Sequence, residues 1–269
     1  MLYNIGIIGR GFVGSALNKY LSQKFNTLTY DIADSIDMVE GYDNVVNNSD
    51  IIYVCVPTPS SEDGSCDISY LEKTLSLINE VANAKCLVLI KSTVVPNTTQ
   101  RLRKKYEKCN IVFNPEFLTE RTAYEDVANA TSHVIGVEDD KTAEYLVEYH
   151  RAAWPDPNCK YFVTETSIAE MVKYATNTFF GIKVSFANVL YDICKSLNID
   201  YNKMSQHMQD IDPRVGTVHW QVPGPDGLRG FGGKCLPKEL SGMIDICNKH
   251  NVNCDLLSTT KEYNKQIRG

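Results

Sequence analysis

Short apolar runs alternate with stretches of helical periodicity through the first half of the chain. Residues 3–8, 27–30, 51–56, 86–90 and 110–113 are strand-length apolar runs, and residues 13–23, 68–83 and 98–108 repeat their apolar positions every three to four residues. Runs of this length lying between helices read as strands buried on both faces. The alternation predicts an α/β fold, a doubly wound parallel sheet built from βαβ units. A helix over 121–128 and a strand over 133–137 are expected to complete it.

The texture changes near residue 164. From there to about 197 proline is absent and Gly181 is the only glycine. Ile168, Met171, Val172, Ala175 and Phe179 recur at helical spacing, followed by Phe186, Val189, Leu190, Ile193 and Leu197. This predicts one helix of roughly 50 Å, at 1.5 Å per residue. Its apolar residues occupy more than one face, which suits an interdomain spine or a dimer interface, and equally a buried core helix. Residues 212–233 are rich in Gly and Pro and form a loop too long for a simple connector. A helix over 237–250 and an amphipathic stretch to residue 269 follow. The expected division is a sheet domain over 1–163 and an all-helical central domain over 164–269.

Composition narrows the classes of partner. The formal charge is -6 and the pI about 5.4, so no electrostatic case exists for nucleic acid or an anionic membrane. The nine cysteines contain no Cys-x-x-Cys pair and the five histidines are scattered, so neither a metal site nor a disulfide framework is expected. The amino terminus enters a strand pattern without a basic n-region, and no apolar run is long enough to span a bilayer. A soluble protein of a reducing, cytoplasmic compartment is the expectation.

Three segments carry candidate chemistry. Gly9, Gly11 and Gly14 form Gly-x-Gly-x-x-Gly between a predicted strand and helix. That pattern serves a tight turn, close approach of a pyrophosphate and close helix–strand packing, the mark of a Rossmann-type domain. The helix start offers its unpaired N–H groups to phosphate. Asp31 follows Gly9 by 22 residues at the end of the second strand, where a carboxylate accepts from ribose hydroxyls. No Arg or Lys follows it in DIADSID, so NAD is favoured over NADP. Thr93, in KSTVV, falls at the carboxyl end of the fourth strand, where such folds place ligand contacts.

Lys173 and Asn177 lie four residues apart on the long helix and project from one face. As a charge and an amide donor they suit an oxygen gaining negative charge, although any solvated helix face shows the same spacing. Glu116 and Glu120, in NPEFLTE, form a second such pair if that segment is helical; they read as acid–base groups or as a solvated turn. Cys235 sits in FGGKCLPKE between a double glycine and an expected helix start, flanked by Lys234 and Lys238. A helix N-terminus and nearby cations favour the thiolate, so the segment reads as a nucleophile seat or as a turn with an inert buried thiol.

The runs GIIGRGFVG, VPTP, STV, NPEFLTE, AEMVKYATNTF and FGGKCLPKE occur in that order across almost the whole chain. Together they resemble the UDP-glucose/GDP-mannose dehydrogenase family. The resemblance implies NAD-dependent oxidation of a nucleotide sugar at C6, from alcohol to carboxylate, with UDP-glucose the first substrate to consider. It implies that Cys235 captures the intermediate aldehyde, that Lys173 and Asn177 stabilise the developing oxyanion, and that Thr93, Glu116 and Glu239 complete the catalytic set. Phe12, Val13, Thr58, Glu120 and Lys238 join the three glycines, Asp31 and Thr93 as implied cofactor contacts. Glu116, Phe117, Leu118, Lys173, Asn177, Arg214 and Gly232 are the implied substrate contacts, with Asp212 and Arg214 forming the family's Asp-x-Arg. A homodimer through the long helix is also implied.

Three departures from the family pattern stand out. Glu239 replaces an Asp, and one extra methylene displaces a carboxylate by about 1 Å, a shift that can cost ~100-fold in rate. The loop over 221–229 is longer than usual. The chain stops where family members continue into a third, nucleotide-binding domain. Two other readings remain: a non-catalytic NAD or nucleotide-sugar binding module, and a β-hydroxyacid dehydrogenase, which shares a Lys-x-x-x-Asn but needs no cysteine.

Overall fold

A computed structural model describes residues 3–33 and 38–268, with only the backbone of residues 38–40. The chain divides into two compact units, one of residues 1–59 and 66–173, the other of residues 60–65 and 174–269.

The first unit is built on a seven-stranded sheet. Its strands are β1 (Asn4–Ile8), β2 (Asn26–Tyr30), β3 (Ile51–Val54), β4 (Cys86–Ile90), β5 (Cys109–Phe113), β6 (Ser132–Gly136) and β7 (Lys160–Thr164), in the spatial order β2-β1-β3-β4-β5-β6-β7. The first five run parallel, β6 meets β5 antiparallel through Phe113 and Gly136, and β7 lies parallel to β6. The helices are α1 (Phe12–Leu21), α2 (Met38–Asn47), α3 (Ser69–Val81), α4 (Thr98–Lys105), α5 (Ala123–Ala128) and α6 (Asp140–Ala153). The expected α/β, doubly wound Rossmann-type architecture is the one observed.

Alternate residues of one strand feed opposite cores. Ile52 and Val54 of β3 pack with Tyr42, Leu71, Leu75 and Leu102, while Ile51 and Tyr53 pack with Leu17, Tyr20, Leu146, Tyr149 and Trp154. Both faces are covered, so the strands read as unbroken apolar runs rather than as alternation. The helix α7 (Thr166–Ser196) begins in this unit, and the boundary between units falls within it, after Lys173.

Four elements escape the sequence reading: α2, α6, β7 and α8 (Tyr201–Ile211). Their apolar signal is weak for identifiable reasons. The helix α6 buries only Ala143, Leu146, Tyr149, His150 and Ala153 of its 14 residues. Capping marks its start instead, because Asp139 Oδ1 accepts from the Thr142 N–H at 2.9 Å. Asp200 caps α8 in the same way through Lys203 N–H. The edge strand β7 leaves Phe162 and Val163 exposed and so lacks the inward–outward pattern of a half-buried strand.

The second unit contains the rest of α7, then α8, α9 (Leu236–Lys249) and α10 (Asp255–Arg268). One small core gathers Ala187, Cys194, Tyr201, Trp220 and Val222, and another gathers Val184, Phe231 and Leu240. The Gly/Pro-rich segment between α8 and α9 is held by side chains that substitute for a ladder. Tyr201 Oη donates to Trp220 O at 2.6 Å, and Trp220 Nε1 donates to Gly216 O at 2.8 Å. Asn264 of α10 brackets Phe231, accepting from its N–H at 2.7 Å and donating to its carbonyl at 2.9 Å. These pairings satisfy loop backbone groups that would otherwise be buried without partners.

Candidate active site

The five parallel strands end along one edge of the sheet, and Gly9, Asp31, Thr58, Thr93 and Glu116 all follow those ends. The fingerprint glycines divide their work. Gly9 turns the chain at φ +93°, and a Cβ there would lie 2.6 Å from Cys55 O. A Cβ on Gly14 would sit 1.9 Å from Gly9 O, so α1 abuts the turn with no room for a side chain. Gly11 has nothing within 4 Å of a Cβ position, and no side chain caps the start of α1. Open space before a helix N-terminus suits a pyrophosphate. Phe12 and Val13 turn their side chains into the core, so what they offer a ligand is backbone N–H.

Asp31 lines a cavity of about 360 Å³ together with Gly9, Gly11 and Ile32. Its carboxylate accepts from the Arg10 N–H at 2.6 Å and the Ala33 N–H at 3.0 Å. These two bonds hold its pKa below the usual range and keep it ionised. The cavity also recruits Tyr70, Lys73, Thr74 and Leu77 of α3, which the sequence reading missed. The available signal was an aromatic, Tyr70, at the polar start of a predicted helix; the structure leaves it 53% exposed.

The second cluster of the first unit surrounds Glu116. Its Oε1 lies 3.2 Å from Lys173 Nζ, and the two side chains are 8% and 3% exposed. Glu116 Oε2 accepts from the Leu118 N–H at 2.5 Å, which folds the segment into a turn. Of the two readings of Glu116 and Glu120, the helical pair is therefore not formed. Residues 114–119 are non-helical, Glu116 is buried, and Glu120 is exposed at the start of a short 3₁₀ turn. Phe117 lies under the Lys173 ammonium, 5.1 Å from ring centroid to Nζ, and Leu118 is half-buried beside it. Thr93 is buried; its carbonyl accepts from Thr58 Oγ1 at 2.8 Å, so Thr58 serves the Thr93 loop in this structure.

Lys91 is a member of this cluster that the sequence reading did not single out. It immediately follows β4, is itself buried, and donates from Nζ to Asn114 Oδ1 at 3.0 Å and Pro115 O at 3.3 Å. Burial pushes its pKa down to about 8, opposed by the nearby Cys55 and Glu116. A lysine closing an apolar strand was the signal available.

In the second unit, Cys235 immediately precedes α9 and is part-exposed. Asn177 Nδ2 donates to Glu239 Oε2 at 2.7 Å, and Glu239 is 1% exposed. Lys238 Nζ lies 3.8 Å from Glu239 Oε1. Asn177 thus holds the carboxylate that departs from the family's Asp. Two residues lie otherwise engaged. A Cβ on Gly232 would fall 2.1 Å from Arg268 Nη2, so its missing side chain makes room for α10. Arg214 is exposed and forms a bidentate pair with Asp212, with Nη2 to Oδ2 at 2.6 Å and Nε to Oδ1 at 2.8 Å. Among the described residues no group of three or more His, Cys, Asp or Glu is arranged to hold a metal ion.

Comparison with known proteins matches the chain to two domains of one family. The NAD binding domain of the UDP-glucose/GDP-mannose dehydrogenase family matches residues 32–153, and that family's central domain matches residues 167–266. A UDP-glucose 6-dehydrogenase of Rickettsia felis is 31% identical over 254 residues, covering 93% of this chain and 54% of the relative. TuaD, a UDP-glucose 6-dehydrogenase of Bacillus subtilis, is 31% identical over 232 residues, covering 84% of this chain and 48% of the relative. The chain spans about half the length of these curated relatives. A UDP-glucose dehydrogenase of Pyrobaculum islandicum shares the fold with a TM-score of 0.85 at 24% identity, over 99% of this chain and 68% of that one. A 3-hydroxyisobutyrate dehydrogenase of Mycobacterium tuberculosis gives 0.75 at 15% identity, over 99% and 94%. With both of its domains matched in order, the chain belongs to the UDP-glucose/GDP-mannose dehydrogenase family, and its amino-terminal part is that family's NAD-binding domain.

Proposed function

We propose that this chain carries the cofactor and thiol machinery of an NAD-dependent nucleotide-sugar 6-dehydrogenase, with UDP-glucose as the leading substrate. The observation that carries the reading is the set of polar groups kept buried at cost: Lys173 with Glu116, and Asn177 with Glu239 four residues after Cys235. A fold gains little stability from such groups, so their burial argues for chemistry.

The glycines, the start of α1 and Asp31 would hold NAD, which when bound accepts the hydride leaving C6 in each of two oxidations. Lys173 and Asn177 stabilise the charge on the C6 oxygen as its proton leaves. Cys235 Sγ then adds to the resulting aldehyde as a thiolate, and the oxyanion takes up a proton to give a thiohemiacetal. Loss of its hydride and its hydroxyl proton leaves a thioester on Sγ. Glu116 and Thr93 position water, Glu116 takes its proton, the C–S bond breaks, and the carboxylate departs as the thiol is restored. Glu239, held by Asn177, is the second carboxylate of this scheme.

The test is NADH release across a panel of nucleotide sugars. Two NADH per sugar are expected, and Cys235→Ser should stop turnover after the first oxidation. One NADH with free aldehyde defeats the thioester scheme. A β-hydroxyacid dehydrogenase is the second reading, resting on the Lys-x-x-x-Asn spacing of Lys173 and Asn177; it requires turnover of a hydroxy acid that survives Cys235→Ser. Self-association through α7 also belongs to the proposal. Phe179, Phe186, Val189 and Ile193 stay exposed along it, with Leu197 just past its end, an apolar row of the kind that subunit interfaces cover.

A further inference from the structure

Glu170, on α7, is wholly buried, yet among the described residues no cation pairs with it. Its Oε1 accepts two bonds from one residue of α4: the Thr99 N–H at 2.8 Å and the Thr99 hydroxyl at 2.6 Å. Its Oε2 is buried and has no hydrogen-bond partner among the described residues. A leucine would fill this space without the desolvation cost of a carboxylate.

The start of α4 explains the carboxylate. Its N-cap, Asn97, has φ 71° and makes no side-chain cap. The first-turn N–H that a local Ser or Asp would satisfy is met from α7 instead. The chain just before α4 is the Thr93 loop, whose other end is tied down by Thr58 Oγ1 on Thr93 O and by Ser92 Oγ on Val56 O. Three residues beyond Glu170, α7 presents Lys173 to Glu116. The start of the helix is itself anchored. Glu138 Oε1 accepts from Thr166 at the start of α7, and a Cβ on Gly136 would lie 2.8 Å from Ala169 Cβ.

We propose that Glu170 is a positioning residue that pins the first turn of α4 to α7, and thereby fixes the Thr93 loop relative to Lys173 and Glu116. The catalytic part of this inference rests on the proposed function; the pinning does not. Burial raises the Glu170 pKa to about 7, opposed by the Thr99 and Asn97 donors and reinforced by Glu138. Glu138 is the charged group facing it from the β6 side, with Arg103 of α4 acting in turn on Glu138. Lys173 of α7 is engaged by Glu116. Ionisation converts the bonds to Thr99 into charge-assisted ones at a helix N-terminus, which tightens the pin.

The experiment compares the wild-type chain with Glu170→Ala and Glu170→Gln by amide hydrogen exchange and by NADH release from UDP-glucose. Glu170→Ala should speed exchange over residues 98–102 at least tenfold relative to the rest of the chain. It should lower kcat at least tenfold with the KM for NAD within twofold. Glu170→Gln keeps an acceptor for Thr99, so it should restore most of the protection and rate while abolishing the rise in kcat through about pH 7. Unchanged exchange over 98–102 in Glu170→Ala overturns the pin. Equal impairment of the Gln and Ala variants also overturns it, and covers the case in which Glu170→Ala does not fold. A wild-type chain that releases no NADH defeats the functional reading alone, and the exchange result then decides the pin. If the wild type is active and kcat of Glu170→Ala lies within twofold of it, the catalytic part is overturned.

Discussion

Replacing Lys173 by Met should destabilise the first unit more than any surface substitution can. The change removes the cation 3.2 Å from Glu116 and leaves a carboxylate that is 8% exposed without that partner. Breaking a buried ion pair from one side costs about 3–5 kcal/mol. Lys91 still acts on Glu116 from nearby, so the lower end, about 3 kcal/mol, is expected. For a unit of this size that lowers Tm by roughly 6–12 °C. The double variant Lys173→Met with Glu116→Gln removes the uncompensated charge and should return to within about 1–2 kcal/mol of wild type. Urea unfolding followed by far-UV circular dichroism measures all four corners of the cycle, and the coupling should be at least about 2 kcal/mol. A loss below about 1 kcal/mol in Lys173→Met, or strictly additive losses in the double variant, refutes the claim that Glu116 depends on this lysine.

Other outcomes follow from single features. Gly14→Ala places a methyl 1.9 Å from Gly9 O, so NAD binding by calorimetry should disappear together with a lowered melting temperature; retained affinity contradicts the packing. Asp31→Ala removes a carboxylate that the Arg10 and Ala33 N–H groups hold ionised, and should weaken NAD about 10- to 100-fold, the worth of a charge-assisted bond of about 1.5–3 kcal/mol. His133 and His150 are buried and neutral, with pKa values pushed down to about 2 and 3 by burial, whereas the unfolded chain titrates near 6.5. Their contribution is thus present above about pH 6.5 and lost as pH falls, by about 3 kcal/mol at pH 5.5 for the pair. A urea midpoint that is flat from pH 7 to 5.5 contradicts this. Phe186→Glu, on the exposed row of α7, should convert any dimer seen by light scattering to monomer.

The sheet was legible because its strands are buried on both faces, so each announces itself as an apolar run between helices. The long helix was legible for a related reason: apolar residues recur along it without a proline to break the pattern. What escaped lay where polarity and structure disagree. The helix α6 is mostly solvated and declares itself only through Asp139, and β7 exposes Phe162 and Val163 at a sheet edge. At the candidate site, the glycines, Asp31 and Cys235 could be found because motif spacing constrains them locally. Spacing left Glu116 and Glu120 open between a helical pair and a solvated turn, because the Leu118 N–H bond that bends the segment and the burial of Glu116 are not written in it. Glu170 depends on which strands and helices become neighbours, and no local pattern carries that information; Lys91 and the α3 side of the cavity left only single-residue traces, a lysine after an apolar strand and Tyr70.

Asn264 and Arg268 give the last turns of α10 a mechanical meaning. Asn264 grips both backbone groups of Phe231, and Arg268 donates to Arg229 O, pairs with Asp226 and fills the space beside Gly232. The loop leading to Cys235 is thus clasped by one helix at four positions, 226, 229, 231 and 232. Any force that tilts α10 is delivered as a pull on the thiol's own backbone, four residues from the grip. The helix works as a lever arm whose short end is the backbone leading to Cys235.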